Sequence, residues 1–515
     1  MELTTEQKQI LEFSLTDDWD ILIINGPAGS GKTTLLNNIY QQYKSDKPSF
    51  KLYPGAFTGR AAAVLKDRGL DNAKTINYWI WGRRTMYRAF KNFFKLEIMK
   101  EDRDEISDEL WIIDESSMIQ ESLLTHLLDE VHNQTFRQLR EPKLGLYTAK
   151  LINLIEDKNF KIKSNRKIIF CGDENQLPPL FAKAGKYKPA LDSDVFLNFT
   201  QKVEEFDLLE LHRHKDSKDI HNLASELETI NSFDDLKLDN YSKNNIEILY
   251  DNSVSNLIKK YLDSFKKNPF QTKYITFNNQ VAHEFNILVR NAIYNINPRD
   301  LYVKKDLLHV TENNYFHGLW NGDFLEVLNV GNTIEGPSLH IKSSTQKDGK
   351  EFDIDKEFSL NFTRLTLRHI ETNKIHYEVF VIDETLNNKE EDNWIYSDRD
   401  ERYFEIEEYL HAFFIERNPN YPDLTREEQK ELRETDKYNN ALFMNYSYAI
   451  TGHKSQGGEW DYAFVDFTTV QKDKETGKYQ ISSSSLHPSG WRYTAATRAS
   501  KKVFLIPERE TLILT

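Results

Sequence analysis

The sequence predicts an α/β protein built on two parallel-sheet units, with a small β-rich unit carrying helices inserted into the second. Three observations predict it. Short apolar runs at residues 21–24, 110–113 and 168–171 each end in a polar loop, as buried parallel strands do when their C-terminal ends share one sheet edge. A second set of such runs begins at 274–277 and resumes at 447–451, 462–465 and 503–506. Between about 330 and 440, strand-like pieces alternate with charged stretches and two helical stripes, which reads as the insertion.

Composition bounds the class. A chain of 515 residues is long enough for roughly three or four domains with real cores. With 39% hydrophobic and 29% charged residues it has the make-up of a soluble globular protein. The opening MELTTEQKQILEF lacks a basic and then apolar leader, and no apolar run approaches the ~20 residues a spanning helix needs, so a cytoplasmic protein without a membrane is expected. Cys171 is the sole cysteine, which excludes an intramolecular disulfide and a cysteine metal cluster. A net charge of −14 argues against a protein that coats nucleic acid non-specifically, though not against a local basic channel.

Taken in order, a helix opens at Thr4 or Thr5, one of which caps it, and Gln7 lies just upstream of the first strand. Gln7 reads either as an adenine contact or as a solvated helix residue. The strand at 21–24 runs into Gly26-Pro27-Ala28-Gly29-Ser30-Gly31-Lys32-Thr33-Thr34, and a helical pattern with Leu35, Leu36, Ile39 and Tyr40 on one face follows. This is the phosphate-loop pattern. Its glycines let backbone N–H groups point inward around a polyphosphate at a helix N-terminus, Lys32 reaches the outer phosphates, and the Thr33 hydroxyl ligates Mg²⁺. A Gly-rich turn with a chance lysine is the bland alternative, and the strand–loop–helix order weighs against it. The reading is a nucleoside triphosphate site.

Residues 51–65 give a strand, a turn at Thr58-Gly59 and a helix, with Thr75 following. The stretch 81–100 carries Arg83, Arg84, Arg88, Lys91, Lys95 and Lys100 interleaved with Trp81, Tyr87, Phe90, Phe93 and Phe94. That is either a single-strand-binding surface or a helix with an aromatic core and basic rim. The strand at 109–113 ends in Asp114-Glu115, a pair suited to holding Mg²⁺ and deprotonating a water. Residues 119–132 read as an amphipathic helix. The third strand leads to Gly172-Asp173-Glu174-Asn175-Gln176, where Gln176 is placed to touch a γ-phosphate and the neighbouring unit. His212 and His214 flank Arg213, and nothing nearby completes a metal set. Residues 231–256 read as a connector, 280–291 as a helix, Asn321-Gly322-Asp323 as a turn, and Thr425-x-x-Glu428 as a capping box.

The ordered set GPAGSGKTT, AFTGRAAA, IIDESSM, CGDENQLPPL, LHRH, AITGHKSQGGEWD and YTAATRA, with EQ near the start, resembles the helicases of superfamily 1B, the RecD/Dda-type branch. Ser116-Ser117-Met118 and Gln176-Leu177-Pro178-Pro179 favour that branch over the UvrD-like one. Asn77 departs from a Thr-x-His pattern common in the family, which removes a histidine contact there. The resemblance implies two RecA-like domains, 1–80 with 108–215 and 216–329 with 441–515. It also implies a wedge subdomain at 81–107 and an SH3-like β-rich insertion at 330–440.

It further implies ATP and Mg²⁺ as ligands, single-stranded and forked duplex DNA as partners, and 5′ to 3′ movement. Carried over residue by residue, Gln7 reads adenine, Thr33 and Asp114 hold the metal, Glu115 is the base, and Gln176 senses the γ-phosphate. Arg213 and Arg498 reach in as arginine fingers, and Glu459 bonds the ribose. Phe57, Thr58, Gly59, Arg60 and Thr75 in the first domain, with Thr451, His453, Lys454 and Ser455 in the second, line the strand path. Two alternatives stay open: an RNA helicase of the same superfamily, and an ATP-switched nucleic-acid-binding signalling or defence protein that does not unwind.

Overall fold

Strands β1 (Ile21–Asn25), β2 (Lys51–Ala56), β3 (Lys74–Thr75), β4 (Glu109–Asp114), β5 (Arg166–Gly172) and β6 (Val203–Asp207) build the first sheet. Their order is β3-β2-β4-β5-β1-β6 and every pairing is parallel. The structure, a computed structural model, describes residues 3–81, 108–132, 166–178, 188–197, 200, 202–210, 215–227, 229, 236, 241, 244–295, 300–314, 316–347, 350–386, 399–472, 479–481 and 490–508. The basic-aromatic stretch beyond Trp81, with the expected wedge, and His212, Arg213 and His214 therefore lie outside the described residues.

β1, β4 and β5 are buried along their whole length, and their central residues read as short apolar runs, with the buried charges Glu109, Asp114, Arg166 and Lys167 at the ends of β4 and β5. Alternate side chains still face opposite ways. Leu22, Ile24, Leu110, Ile112, Ile169 and Cys171 enter one core with α2 (Lys32–Asp46). Ile21, Ile23, Trp111, Ile113, Ile168 and Phe170 enter the other with Leu124, Leu127 and Leu128. Burial pushes the Cys171 thiol up, so it behaves as a small apolar residue. The remaining helices of this unit are α1 (Thr5–Ser14), α3 (Gly59–Asp67), α4 (Ile76–Trp81), α5 (Glu121–His132) and α6 (Ser193–Phe196). Thr4 caps α1 in a capping box with Gln7.

The second parallel sheet has β7 (Ile246–Ile248), β8 (Thr272–Thr276), β16 (Ala449–Thr451), β17 (Trp460–Asp466) and β20 (Ala499–Ile506) in the order β16-β8-β17-β20-β7. Helices α7 (Lys215–Leu227), α8 (Val254–Phe265) and α9 (Asn279–Tyr294) accompany it. Both sheets are RecA-like, as expected. The expected connector is shorter than read, since β7 lies inside it and α8 begins there. β7 is only three residues long, IEI with Ile246 buried and Glu247 and Ile248 partly buried, so it gives no apolar run.

Strands β9 (Leu307–Val310), β10 (Phe324–Glu335), β13 (Asn361–His369), β14 (Ile375–Ile382) and β15 (Met444–Tyr446) form an antiparallel sheet in the order β14-β13-β10-β9-β15. β11 (Leu339–Lys347) and β12 (Lys350–Phe358) make a hairpin against α10 (Arg399–Arg417), burying Ile341, Ile354, Ile406 and Tyr409. α11 (Arg426–Thr435) starts on the expected Thr425–Glu428 capping box. This antiparallel sheet opens before residue 330 and closes after 440. The physical reason is a shared core: Leu307, Leu325 and Leu365 pack in one cluster with Tyr274, Phe285 and Phe464 of the second parallel unit. An antiparallel pair of β18 (Val470–Lys472) and β19 (Tyr479–Ile481), the turn of helix α12 (Gly452–Ser455) and α13 (Trp491–Ala496) complete the described strands and α-helices.

Candidate active site

Because the strands of the first sheet are parallel, the loops after β1, β4 and β5 meet at one edge. The loop after β1 turns through Gly29 and Gly31, whose φ values of 92° and 82° suit glycine, and Gly31 caps α2. Lys32 folds over this loop, its Nζ donating to the carbonyls of Gly26 at 2.6 Å and Pro27 at 3.0 Å. The Ser30 hydroxyl is buried in it without a hydrogen-bond partner. Ala28, Thr33 and Thr34 are partly buried on the same turn. Gln7 is buried too, and its amide donates to the Ser30 carbonyl at 3.1 Å while its oxygen accepts from Thr4 N–H. It thus ties α1 to the loop.

β4 delivers the carboxylate pair. Thr33 Oγ1 donates to Asp114 Oδ2 at 3.4 Å, and Asp114 accepts the Glu115 N–H at 2.9 Å. Burial holds the Asp114 carboxyl above its ordinary range, opposed by the Lys32 charge. Glu115 sits at φ 55°, a left-handed backbone that costs a non-glycine residue on the order of 1 kcal/mol or more. Its carboxyl is pushed up to about 7, first by burial and then by Asp114, against the pull of Lys32 and Arg498. A carboxyl poised near neutrality can take up and release a proton around pH 7.

Arg498 enters from the second sheet, just after α13. It is buried, its Nε donating to the Thr494 carbonyl at 2.9 Å and its Nη1 to the Gly458 carbonyl at 3.3 Å. Its field reaches Glu115, so the two sheets contribute to one site. Gln176, after β5, donates to Asp173 Oδ2 at 3.2 Å, and its own oxygen is buried without a partner. Gly490, which precedes α13, presses on the same loop. Its φ is 84°, and a Cβ there would lie 2.6 Å from the Gln176 carbonyl. Leu177 N–H donates to Thr494 Oγ1 at 2.9 Å across the same junction. Glu459, exposed before β17, stands farther along.

The residues expected to line a strand path fall into two groups. Thr58 caps α3 by accepting the Ala61 N–H at 3.1 Å, and Thr75 Oγ1 accepts the Tyr78 N–H at 3.1 Å. Phe57 packs beside them on the core that holds Ile21, Trp111 and Phe170. Arg60 is buried: its guanidinium pairs with Glu371 and lies 4.7 Å from the Phe324 ring. Gly59 abuts Trp320 and Asn313. In the second unit, Thr451 is buried at the end of β16. His453 and Lys454 are partly buried, and Ser455 Oγ donates to the Gly452 carbonyl at 2.7 Å. Burial lowers the His453 pKa.

Sequence reasoning missed His221, Tyr493, Thr494 and Glu371. Tyr493 and Thr494 sit inside the WRYTAATRA stretch, from which only the arginine was singled out. His221 and Glu371 lie outside every motif. Among the described residues, no trio of histidine, cysteine, aspartate or glutamate is placed to hold a metal, and no helix is long and apolar enough to cross a membrane.

Fold and site together define a protein of two parallel α/β sheets, with a phosphate-loop sequence and a carboxylate pair on the first and Arg498 of the second acting on that pair. Residues 2–139 match the family model described as the AAA domain. An uncharacterized protein of Methanocaldococcus jannaschii is 27% identical over 506 residues, covering 95% of this chain and 36% of its own length. The chain thus spans about a third of that relative. An uncharacterized protein of Acanthamoeba polyphaga mimivirus is 23% identical over 547 residues, covering 96% of this chain and 97% of its own length. Among similar solved structures, the Pif1 helicase of Candida albicans gives a TM-score of 0.44 at 15% identity, with 98% of this chain and 94% of that one covered. A Bacteroides Pif1 helicase in complex with ADP-AlF3 and single-stranded DNA gives 0.41 at 16% identity, with 100% and 95% covered.

Proposed function

We propose that this protein is an ATP-driven DNA helicase of the superfamily 1B type, moving 5′ to 3′ on a single strand. The observation that carries the reading is the meeting of Lys32, Asp114 and Glu115 from the first sheet with Arg498 from the second. A catalytic base on one domain and a cation on the other make hydrolysis depend on how the domains close.

In this mechanism the loop N–H groups and Lys32 hold the triphosphate, and Lys32 exchanges the carbonyls of Gly26 and Pro27 for phosphate oxygens. The unpartnered Ser30 hydroxyl faces the same loop and suits an oxygen-rich ligand. Thr33 and Asp114, whose oxygens already meet, are the donor set that would hold Mg²⁺. When bound, that ion neutralises charge on the transferred phosphoryl group. Glu115 takes the proton of the attacking water, Gln176 senses the γ-phosphate, and Arg498 meets the charge that develops on it. Gln7 reads adenine, and Glu459 reads the ribose. Thr58, Arg60 and Thr75 on one domain, with Thr451, His453, Lys454 and Ser455 on the other, grip the strand alternately. The grip converts closure into a step. Arg213 and the 81–107 wedge complete the reading as the second finger and the strand separator.

The test is an ATPase assay with and without single-stranded DNA or RNA, followed by unwinding of 5′- and 3′-tailed duplexes. DNA-stimulated hydrolysis with opening of 5′-tailed substrates alone is expected. Opening only of 3′-tailed substrates reverses the polarity, stimulation by RNA alone changes the substrate, and stimulation without unwinding leaves a switch.

A further inference from the structure

His221 is a buried histidine on α7 that none of the ATPase roles uses. Its Nε2 lies 2.7 Å from the carbonyl oxygen of Ala28, in the middle of the phosphate loop of the other domain. A carbonyl only accepts, so Nε2 carries the proton in this contact. Its Nδ1, left as the acceptor, lies 3.3 Å from the Tyr493 hydroxyl, whose single proton is shared between that nitrogen and Asp173 Oδ2, also 3.3 Å away. Asp173 Oδ2 is the atom to which Gln176 donates. One chain of polar contacts therefore runs from the phosphate loop, through two side chains of the second domain, back to the loop after β5 in the first.

We propose that His221 and Tyr493 form a positioning pair that reports the state of the phosphate loop to the second domain and sets Gln176 through Asp173. The inference rests on the nucleotide-hydrolysing reading above. The phosphate loop is the segment that must adjust when Lys32 leaves the Gly26 and Pro27 carbonyls for a phosphate. Ala28 sits between those carbonyls and Gly29, so any such adjustment shifts the partner of His221. α7 packs against α13, and α13 leads directly to Arg498, so a displaced His221 or Tyr493 moves the helix pair that presents the arginine. The link is made in a buried setting, where a hydrogen bond is stronger and its loss leaves polar atoms unpaired. The contacts of the pair described above run to the phosphate loop and to Asp173, so the pair acts on turnover through geometry.

The test compares His221→Ala, His221→Gln and Tyr493→Phe in the full chain, with Lys32→Ala as a control for the underlying reading. Fluorescent ATP binding, KM for ATP, kcat with single-stranded DNA, and the melting temperature are measured for each. Expected are ATP affinity and KM within about twofold of the parent, and kcat lowered about tenfold in His221→Ala and Tyr493→Phe. That factor corresponds to about 1.4 kcal/mol of transition-state stabilisation. His221→Gln, which keeps an N–H donor of similar reach, restores at least part of the loss. The double variant is no worse than either single one, because both break the same chain. Turnover within twofold of the parent in both single variants overturns the pairing. Equal losses in Ala and Gln variants, matched by a fall in melting temperature, also overturn it and leave a packing role. A parent that neither binds ATP nor hydrolyses it sinks the underlying reading instead. If His221→Ala does not fold, Tyr493→Phe decides, since it removes only a hydroxyl.

Discussion

Glu115 is the carboxyl proposed as the base, and its environment makes predictions that need no nucleotide. Its pKa rises from the ordinary carboxylate value of 4.5 to about 7 because burial and Asp114 disfavour the charge. The folded state therefore binds a proton that the unfolded chain has lost between those values, and stability falls as pH rises through that window. Glu115→Gln removes the penalty. In EDTA, the variant should melt a few degrees above the parent at pH 8 and close to it at pH 5, reflecting a gain of up to about 3 kcal/mol. A constant difference across pH would assign the effect to packing. For turnover the sign is opposite: hydrolysis should rise with pH through the same window, and Glu115→Gln should lose it by orders of magnitude while still binding ATP. Arg498→Ala should lower kcat far more than ATP affinity, because its charge counts most where charge develops. Equal losses in binding and turnover would make it an ordinary ligand contact.

At the scale of elements, two contacts between units carry consequences. Gly490 lies against the Asn175 and Gln176 carbonyls at a φ that an alanine resists. Gly490→Ala should therefore push α13 off the loop after β5 and lower turnover about as much as a damaged arginine finger, while costing roughly 1–2 kcal/mol of stability. Unchanged kcat in that variant would show that the junction tolerates slack. Arg60, assigned to the strand path, is held by Glu371 on the turn between β13 and β14. Nucleic-acid phosphate and the Glu371 carboxylate then compete for one guanidinium. Glu371→Gln should strengthen single-strand binding severalfold at low salt, with the gain shrinking as salt rises. Weaker binding would mean that Glu371 instead positions Arg60 for the strand.

Across the whole molecule, what was legible in the sequence was whatever is local. β1, β4 and β5 are buried on both sides, so each is a run of apolar residues that needs no knowledge of its neighbours. The phosphate loop and the Asp114-Glu115 pair follow such runs directly, and they were located to the residue. β6 escaped because it is an edge strand, VEEFD, with Glu204 and Glu205 exposed. β7 and α8 escaped because a three-residue strand and its polar surroundings resemble a linker. His221 was invisible for a different reason: its role depends on a carbonyl 193 residues away. The reach of the β-rich sheet was likewise set by packing, since β9 and β15 join it from either side of the expected boundary.

The shared cluster under the antiparallel sheet also has a mechanical meaning. Leu307, Val327, Leu367, Tyr446, Phe285 and Phe464 belong to one apolar body. The chain leaves the second parallel sheet after α9, builds the antiparallel one, and returns through β16 to β20. A pulling force applied at the two ends of this half would load β20 while it is paired on both sides, by β17 and β7. Neither sheet can peel away and leave the other's interior covered. In an optical trap, the second half should thus rupture in one large extension rather than two, and a motor built on it would transmit load through a single stiff block.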